Sequence, residues 1–151
     1  MKKNIFFISL LICFGLVFVL FSCKEKELDE EFAFVECPRD VIICADTFMN
    51  TPENLTISDV RIEGNNLRFR IHASGCDGGN WLAILVDRGS VMGTNPLQRT
   101  LRVIFENDEV CTTVISRDFS FNIECLQLLN RNEILLNIAG QTVLYEYSTE
   151  E

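Results

Sequence analysis

The sequence predicts an all-β fold, a single antiparallel, immunoglobulin-like β-sandwich of about seven or eight strands. Two observations lead to this prediction. From Asn54 onward, apolar and polar residues alternate, as in half-buried strands, and they do not follow the period of a helix. Turn-forming residues recur at roughly every eight to twelve positions, a spacing that is typical of sandwiches and barrels.

The first strands of the domain are the most clearly patterned. The stretch NLTISDVRIEGNNLRFRIHA predicts a hairpin, because Gly64, Asn65 and Asn66 accept a tight turn at low cost. Along its second strand, apolar residues alternate with Arg68, Arg70 and other polar residues, so one face is expected to be buried. WLAILVD is apolar on both faces and is therefore expected to be a central strand.

The later strands follow the same logic. QRTLRVIFE and EVCTTVIS flank the turn pair Asn107 and Asp108, and FSFNI is expected to direct its phenylalanines inward. EILLNIAG and TVLYEY close the chain around Gly140. Residues 32–53 break the rhythm and are expected to add an edge strand or to cover one end of the domain.

The N-terminus predicts export. Lys2 and Lys3 precede an apolar run, Ile5 to Phe21, that is short for a membrane span of about 20 residues and typical of a signal peptide. We therefore predict a signal peptide over 1–22, an acidic flexible tether over 23–31, and one sandwich domain over 32–151. The cluster of charges in the tether offers little to bury and favours a solvated spacer.

Cys23 directly follows the apolar run and predicts a lipid anchor. Leu20, Ser22 and Cys23 resemble the lipobox of bacterial lipoproteins, in which the cysteine is acylated and becomes the first residue of the mature protein. A thioether-linked diacylglycerol gives membrane affinity in proportion to its buried methylenes. The partner implied by Cys23 is thus a membrane.

The charge of the chain argues against binding to nucleic acid. It has 13 basic and 22 acidic residues, a formal net charge of −9. Such a molecule repels phosphate backbones, and no basic run compensates.

The cysteines predict disulfides, because an exported chain meets an oxidising compartment. The preferred pairing joins Cys76 to Cys111 and Cys37 to Cys44, and leaves Cys125 as a buried free thiol. Sequence alone does not determine connectivity.

The segment HASGCDGGNW, residues 72–81, is the richest in chemistry. Cys76 with His72 would suit a thiol-dependent hydrolase, and Cys76, His72 and Asp77 would suit a metal site. The alternation of the preceding strand places His72, the single histidine, on the solvent face, and familiar catalytic and zinc spacings are absent. We therefore expect a structural loop held by a disulfide, with no catalytic residue, metal or cofactor.

A possible binding surface combines the basic stripe on the hairpin with the polar residues of this loop: Arg68, Arg70, His72, Asp77 and Asn80. The stripe, with Arg102 as a possible extension, would suit a carboxylate or an acidic glycan. The alternative, which we favour, is that these arginines pair with acids across the sheet.

The signal with Cys23, the ASGCDGGNW loop, the strands PLQRTLRV and VCTTVISRDFSFNI, and the closing LLNIAGQTVLYEY together resemble small lipoproteins of the Bacteroidetes. The resemblance implies an outer-membrane lipoprotein, periplasmic or surface-exposed, and implies no activity. The predicted function is a non-enzymatic binding or structural module with a protein or glycan partner. The alternatives are the thiol hydrolase and an inhibitor of envelope proteases that presents the Gly75 to Asn80 loop.

Overall fold

The computed structural model describes residues 37–148, which fold into two β-sheets around one core. The signal peptide, Cys23 and the tether predicted from the sequence lie outside these residues. The described part contains eight strands: β1 (Val41–Ile43), β2 (Thr56–Glu63), β3 (Asn66–Ser74), β4 (Leu82–Asp87), β5 (Gln98–Glu106), β6 (Val114–Asn122), β7 (Glu133–Ile138) and β8 (Gln141–Glu146). It also contains a short helix, α1 (Ala45–Asn50), and one 3₁₀ turn (Glu124–Leu126).

One sheet has five strands in the order β1-β4-β5-β7-β8, and the other has three in the order β2-β3-β6. The three-stranded sheet is antiparallel throughout. In the five-stranded sheet, β1 runs parallel to β4 and β5 runs parallel to β7. The prediction of a purely antiparallel fold is therefore wrong, although the mostly β architecture and the strand number are confirmed.

The parallel pairs have a topological cause. After β5 the chain crosses to the other sheet, runs back as β6, and returns as β7, which therefore has the direction of β5. Parallel neighbours need such a crossover, which is usually a helix, and here β6 supplies it. The alternation of apolar and polar residues indicates which face of a strand is buried. It is the same in parallel and antiparallel strands, so it does not predict strand direction.

The core lies between the sheets and follows the predicted alternation. On β3, Leu67, Phe69 and Ile71 are fully buried. The rings of Phe69 and Phe121 stack with their centroids 5.4 Å apart across the β3/β6 pair. Fully burying an aliphatic or aromatic side chain contributes about 1.5–3 kcal/mol, so this layer supplies much of the stabilisation of the three-stranded sheet.

Two tight turns agree with the sequence and a third does not. Gly64, with φ of +59°, is the first central residue of the β2–β3 hairpin, and the β7–β8 hairpin turns at Ala139 and Gly140. Asn107 and Asp108 do not form a hairpin. They begin a connection over 107–113 that carries the chain from one sheet to the other. The predicted strand EVCTTVIS is wrong over its first five residues, which lie in this connection, and its last three residues join the FSFNI segment in the single strand β6.

The segment before β2 adds an edge strand, as expected, and also the short helix. β1 pairs with β4 at the edge of the five-stranded sheet. The Arg102 guanidinium lies 4.3 Å from the centre of the Phe48 ring and donates to the carbonyls of Phe48 and Thr51, so it holds α1 against the outer face of that sheet. Arg102 is therefore not an extension of the basic stripe on β3.

The two ends of the sandwich differ, and we name them for what they carry. The loop end is formed by the connections 75–81 and 107–113. The tyrosine end lies where β6 finishes and carries Tyr145, Tyr147 and a disulfide between Cys37 and Cys125. At about 3.3 Å per residue, the length of β6 separates the two ends by about 26 Å.

Within residues 37–148, no helix has the length and apolar character needed to cross a membrane.

Candidate functional site at the loop end

The loop end is built where four strands stop or start. β3 ends at Ser74 and β6 begins at Val114, and these two residues face each other across the sheet. The Gly75 N–H donates to the Thr113 carbonyl at 2.9 Å, which continues the pairing into both connections. The two loops therefore begin side by side even though they are distant in sequence.

A disulfide joins the two loops. Cys76 and Cys111 are bonded with an S–S distance of 2.01 Å, the pairing preferred from the sequence. The predicted Cys37–Cys44 bond is wrong, because Cys37 is bonded to Cys125 across a separation of 88 residues. Cys125 is therefore not a free thiol, and Cys44 is not free either.

The Glu109 carboxylate accepts hydrogen bonds from the backbone of the 75–81 loop. Its Oε2 accepts the N–H of Cys76 at 2.6 Å and the N–H of Gly78 at 3.1 Å. Backbone amides that converge on one point form a concave anion site, and here an acid of the same chain fills it. The Asn107 side chain adds a bond to the Ser74 carbonyl at 2.7 Å and accepts the Glu109 N–H at 2.9 Å.

Gly75 is required by this close packing. A β-carbon at Gly75 would lie 2.4 Å from Glu109 Oε2 and 2.9 Å from Cζ2 of Trp81. The indole of Trp81 is buried beneath the loop and meets the Phe105 ring edge-on, at 5.2 Å between centroids. The loop therefore packs on the buried indole of Trp81.

The proposed catalytic pair does not have the geometry of a thiol hydrolase. The sulfur of Cys76 is in a disulfide and is not a thiolate nucleophile while that bond is intact. Nε2 of His72 forms a hydrogen bond with Ser58 Oγ at 2.8 Å. Asp77 accepts the N–H of Gly79 at 2.7 Å, and the described residues contain no group of three or more His, Cys, Asp or Glu side chains arranged to hold a metal ion.

The basic stripe on β3 is paired with acids, the alternative favoured from the sequence. Arg68 contacts Glu63 at 2.7 Å, and Arg70 contacts Asp118 at 2.8 Å and Asp59 at 3.1 Å. The hydrogen bond from Arg70 lowers the pKa of Asp118, and the bond to Asp118 raises the pKa of Arg70. These pairs are exposed, so their net contribution to stability is small.

The five residues of the predicted binding surface fall into two groups. Arg68, Arg70 and His72 lie on the outer face of the three-stranded sheet, where they pair with residues of β2 and β6. Asp77 and Asn80 lie in the loop end and are exposed. The structure therefore does not gather them into one site.

Sequence reasoning missed the apolar side chains that the loop end exposes. Val110 is 92% exposed, Val114 is 70% exposed and Leu82 is 62% exposed. The acids Glu106 and Asp108 are exposed on the same end. The sequence predicted a regular strand over EVCTTVIS, in which Val110 and Val114 would share one face, and the only available sign against it was that the EVCTTV segment alternates poorly.

No protein-family model, curated protein or solved structure matches this chain.

Proposed function

We propose that this chain is a lipid-anchored, non-enzymatic binding module of the bacterial cell envelope, and that its loop end contacts a partner protein. The observation that carries this proposal is the combination of a rigidly held loop end with apolar side chains left in solvent. The disulfide and the Glu109 hydrogen bonds fix the two loops, while Val110 and Leu82 remain exposed.

Rigidity and exposure together favour binding. Exposed apolar side chains rimmed by polar groups are typical of protein interaction sites. A surface that is already ordered loses less conformational entropy on association, which improves affinity. Many proteins place their binding residues on loops that a rigid scaffold holds in position. Immunoglobulin-like sandwiches bind in this way, and that finer fold assignment stays a prediction.

The course of the chain supports a membrane anchor on the opposite side. The first described residue, Cys37, is bonded to Cys125 at the tyrosine end. A tether that precedes Cys37 therefore joins the domain at the tyrosine end, and the loop end lies about 26 Å further along β6. An anchor at Cys23 would leave the loop end facing away from the membrane.

The anchor is tested by mass spectrometry of the mature protein. We expect an acylated Cys23 at the N-terminus, and loss of membrane fractionation in the Cys23→Ala variant. The thioether of the anchor occupies the sulfur of Cys23, so a mature protein in which Cys23 forms a disulfide would contradict the anchor. Protease treatment of whole cells separates an outer-membrane protein on the surface from one that faces the periplasm.

The binding role is tested with the full-length protein in its native envelope. A Val110→Asp variant should lose co-purifying protein, because a charge replaces the most exposed apolar side chain of the loop end. Leu129→Asp is the matched control at the tyrosine end, where Leu129 is 40% exposed. Equal recovery of the same proteins by both variants and the wild type would refute the loop end as the contact surface. A recovered protease that the protein inhibits would identify the partner class as proteases.

A further inference from the structure

We propose that the free edge of β6 binds an extended, basic and apolar segment of a partner protein, which adds to the three-stranded sheet as a fourth strand. This inference rests on the proposed binding function and specifies how the partner is held. β6 begins at Val114, directly beside the exposed apolar residues of the loop end, so the edge and the loop end form one continuous surface.

The backbone of β6 presents a regular row of outward groups. Thr113 and Ile123 form backbone hydrogen bonds with the residues directly opposite them, Gly75 and Asn65. In an antiparallel pair such bonded residues alternate with residues whose N–H and C=O point away. Odd-numbered residues of β6 therefore bond to β3, and the even-numbered ones present their N–H and C=O groups to the open edge. No backbone hydrogen bond links these even-numbered groups to any other residue within 37–148.

Within residues 37–148, the other edges of the two sheets are protected, whereas no strand pairs with the outer edge of β6. β1 has only three residues. β2 carries a bulge between Ser58 and Arg61, where Asp59 has φ of +54°. β2 and β8 close against each other, with Gln141 Nε2 donating to the Ile57 carbonyl at 3.1 Å. Short strands, bulges and covered edges are the usual protections against strand addition.

By contrast, β6 pairs with β3 over nine consecutive residues without a register shift and contains no proline. Its two charged residues are already engaged: Arg117 donates to the Gly78 carbonyl, and Asp118 is paired with Arg70. The charge of Asp118 is compensated by Arg70, whereas Arg117 keeps its positive charge and directs it toward the 75–81 loop. A long, regular edge that no other described residue pairs with has the form that binds peptides by main-chain hydrogen bonding.

The side chains beside the edge specify the chemistry of the segment. Toward the core, Ile115 and Phe119 are only half-buried and pack against the core cluster, so an added strand gains by placing apolar side chains there. On the outer face lie Ser116, Asp118 and Ser120, and the exposed acids Glu106 and Asp108 lie beyond the start of β6. The chain has a net charge of −9. Charge complementarity therefore favours a segment that alternates apolar with basic residues.

The experiment uses NMR to measure amide hydrogen exchange in the full mature chain, with and without a synthetic peptide of alternating valine and lysine. We expect the amides of Ser116, Asp118 and Ser120 to exchange at least tenfold more slowly with the peptide, because these N–H groups become bonded. The amides of Arg117 and Phe119 should be slow with or without it. A valine–glutamate peptide, and a valine–lysine peptide methylated on alternate backbone nitrogens, should give no protection.

The matched variants are Ser116→Pro and Ser116→Ala. Proline at position 116 removes an N–H that points to the open edge and does not bond to β3. Edge strands tolerate proline at such positions, so the fold should be retained. The affinity for the peptide should fall at least tenfold. Alanine removes only the hydroxyl and should bind as the wild type does. If the proline variant does not fold, the methylated peptide still tests the same hydrogen bonds.

Several results would overturn the proposal. One is peptide binding that leaves the even-numbered amides unprotected. A second is that the even-numbered amides are already protected without peptide and lose this protection when residues 24–36 are deleted. The edge is then occupied by the protein's own N-terminal segment. A third is protection that depends on protein concentration, which identifies a second copy. Loss of the native partner from Val110→Asp but not from Ser116→Pro would contradict strand addition and leave the proposed binding function intact.

Discussion

The tyrosine end and the loop end of the sandwich each carry one disulfide between described cysteines, yet they are stabilised by different forces. At the tyrosine end, the side chains are buried and their polar atoms are bonded inward: Gln127 Nε2 donates to Tyr145 Oη at 2.6 Å, and Tyr145 Oη donates to Asn65 Oδ1 at 2.8 Å. At the loop end, bonds to backbone amides and an exposed disulfide hold the loops, and the apolar side chains face solvent.

The difference shows how a small domain separates stability from recognition. Burial at the tyrosine end contributes to folding but leaves little surface for a partner. The loop end obtains its order from a few directional bonds, so its apolar groups remain available for contact. The chain also provides a probe for each end, because its single tryptophan, Trp81, lies at the loop end and its two tyrosines lie at the tyrosine end.

Removing the disulfides should give the largest effects. The Cys37–Cys125 bond closes a separation of 88 residues and the Cys76–Cys111 bond one of 35. From the loop-closure entropy of the unfolded chain, replacing both cysteines with alanine should cost about 4–5 kcal/mol for the first pair and about 3–4 kcal/mol for the second. Denaturant unfolding measures both costs. A larger loss of unfolding free energy from the Cys76/Cys111 variant than from the Cys37/Cys125 variant would contradict the expected order of the two disulfides.

An effect comparable to that of the second disulfide is expected from Arg99→Met. Arg99 Nη1 lies 2.9 Å from Asp87 Oδ1, and both side chains are buried. Burial raises the pKa of Asp87, and the positive charge of Arg99 counteracts that rise. Removing one partner of a buried ion pair costs about 3–5 kcal/mol, because the other charge is left unpaired.

The pH dependence of this variant has a definite sign. With the folded pKa of Asp87 raised above its unfolded value, the folded state binds the additional proton. The free energy of unfolding of Arg99→Met should therefore increase as the pH falls, and the increase should be lost as the pH rises through the folded pKa. Denaturation curves at several pH values measure it, and the same trend in Arg99→Met/Asp87→Asn would show that Asp87 is not its source.

Gly75→Ala should have a smaller effect, confined to the loop end. The new methyl group would meet Glu109 Oε2 and the Trp81 ring, and relieving this overlap costs about 1–3 kcal/mol. Gly93→Ala is the matched control, because a methyl group there would have no neighbouring atom within 4 Å. Trp81 fluorescence should change in the first variant only. An unchanged spectrum in Gly75→Ala would refute the close packing of the loop.

The smallest effect is a titration that leaves the fold intact at neutral pH. Burial raises the pKa of Tyr145 and of Tyr147. Both phenols stabilise the fold in their neutral form. This stabilisation is fully present below the unfolded pKa of about 10, and it is lost as the pH rises through the higher folded pKa values. Ultraviolet absorbance of tyrosinate should therefore rise late and together with unfolding. Ionisation at the ordinary pKa with the fold intact would contradict the burial of this end.

The local features of the fold were predictable from the sequence because they depend on neighbouring residues. The alternation of Leu67, Phe69 and Ile71 indicated the buried face of β3, and Gly64 indicated its hairpin. The Cys76–Cys111 pairing was preferred as a bond between the loop before the Trp81 strand and the predicted EVCTTV strand, and it is confirmed.

The features that sequence reasoning missed are long-range. The Cys37–Cys125 bond depends on the 3₁₀ turn after β6 meeting the segment before β1, and no local pattern encodes that contact. The parallel pairing of β5 with β7 depends on the path of β6 through the other sheet. The open edge of β6 likewise follows from strand order, which alternation does not determine.

Site-specific photocrosslinking in living cells tests the central claim most directly. A photoreactive phenylalanine analogue replaces either Val110, at the loop end, or Leu129, at the tyrosine end, in the full-length protein. We predict protein adducts from position 110 and none from position 129, because position 110 lies within the proposed contact surface and position 129 lies outside it. Adducts from position 129 alone, or adducts of equal yield from both positions, would contradict this claim.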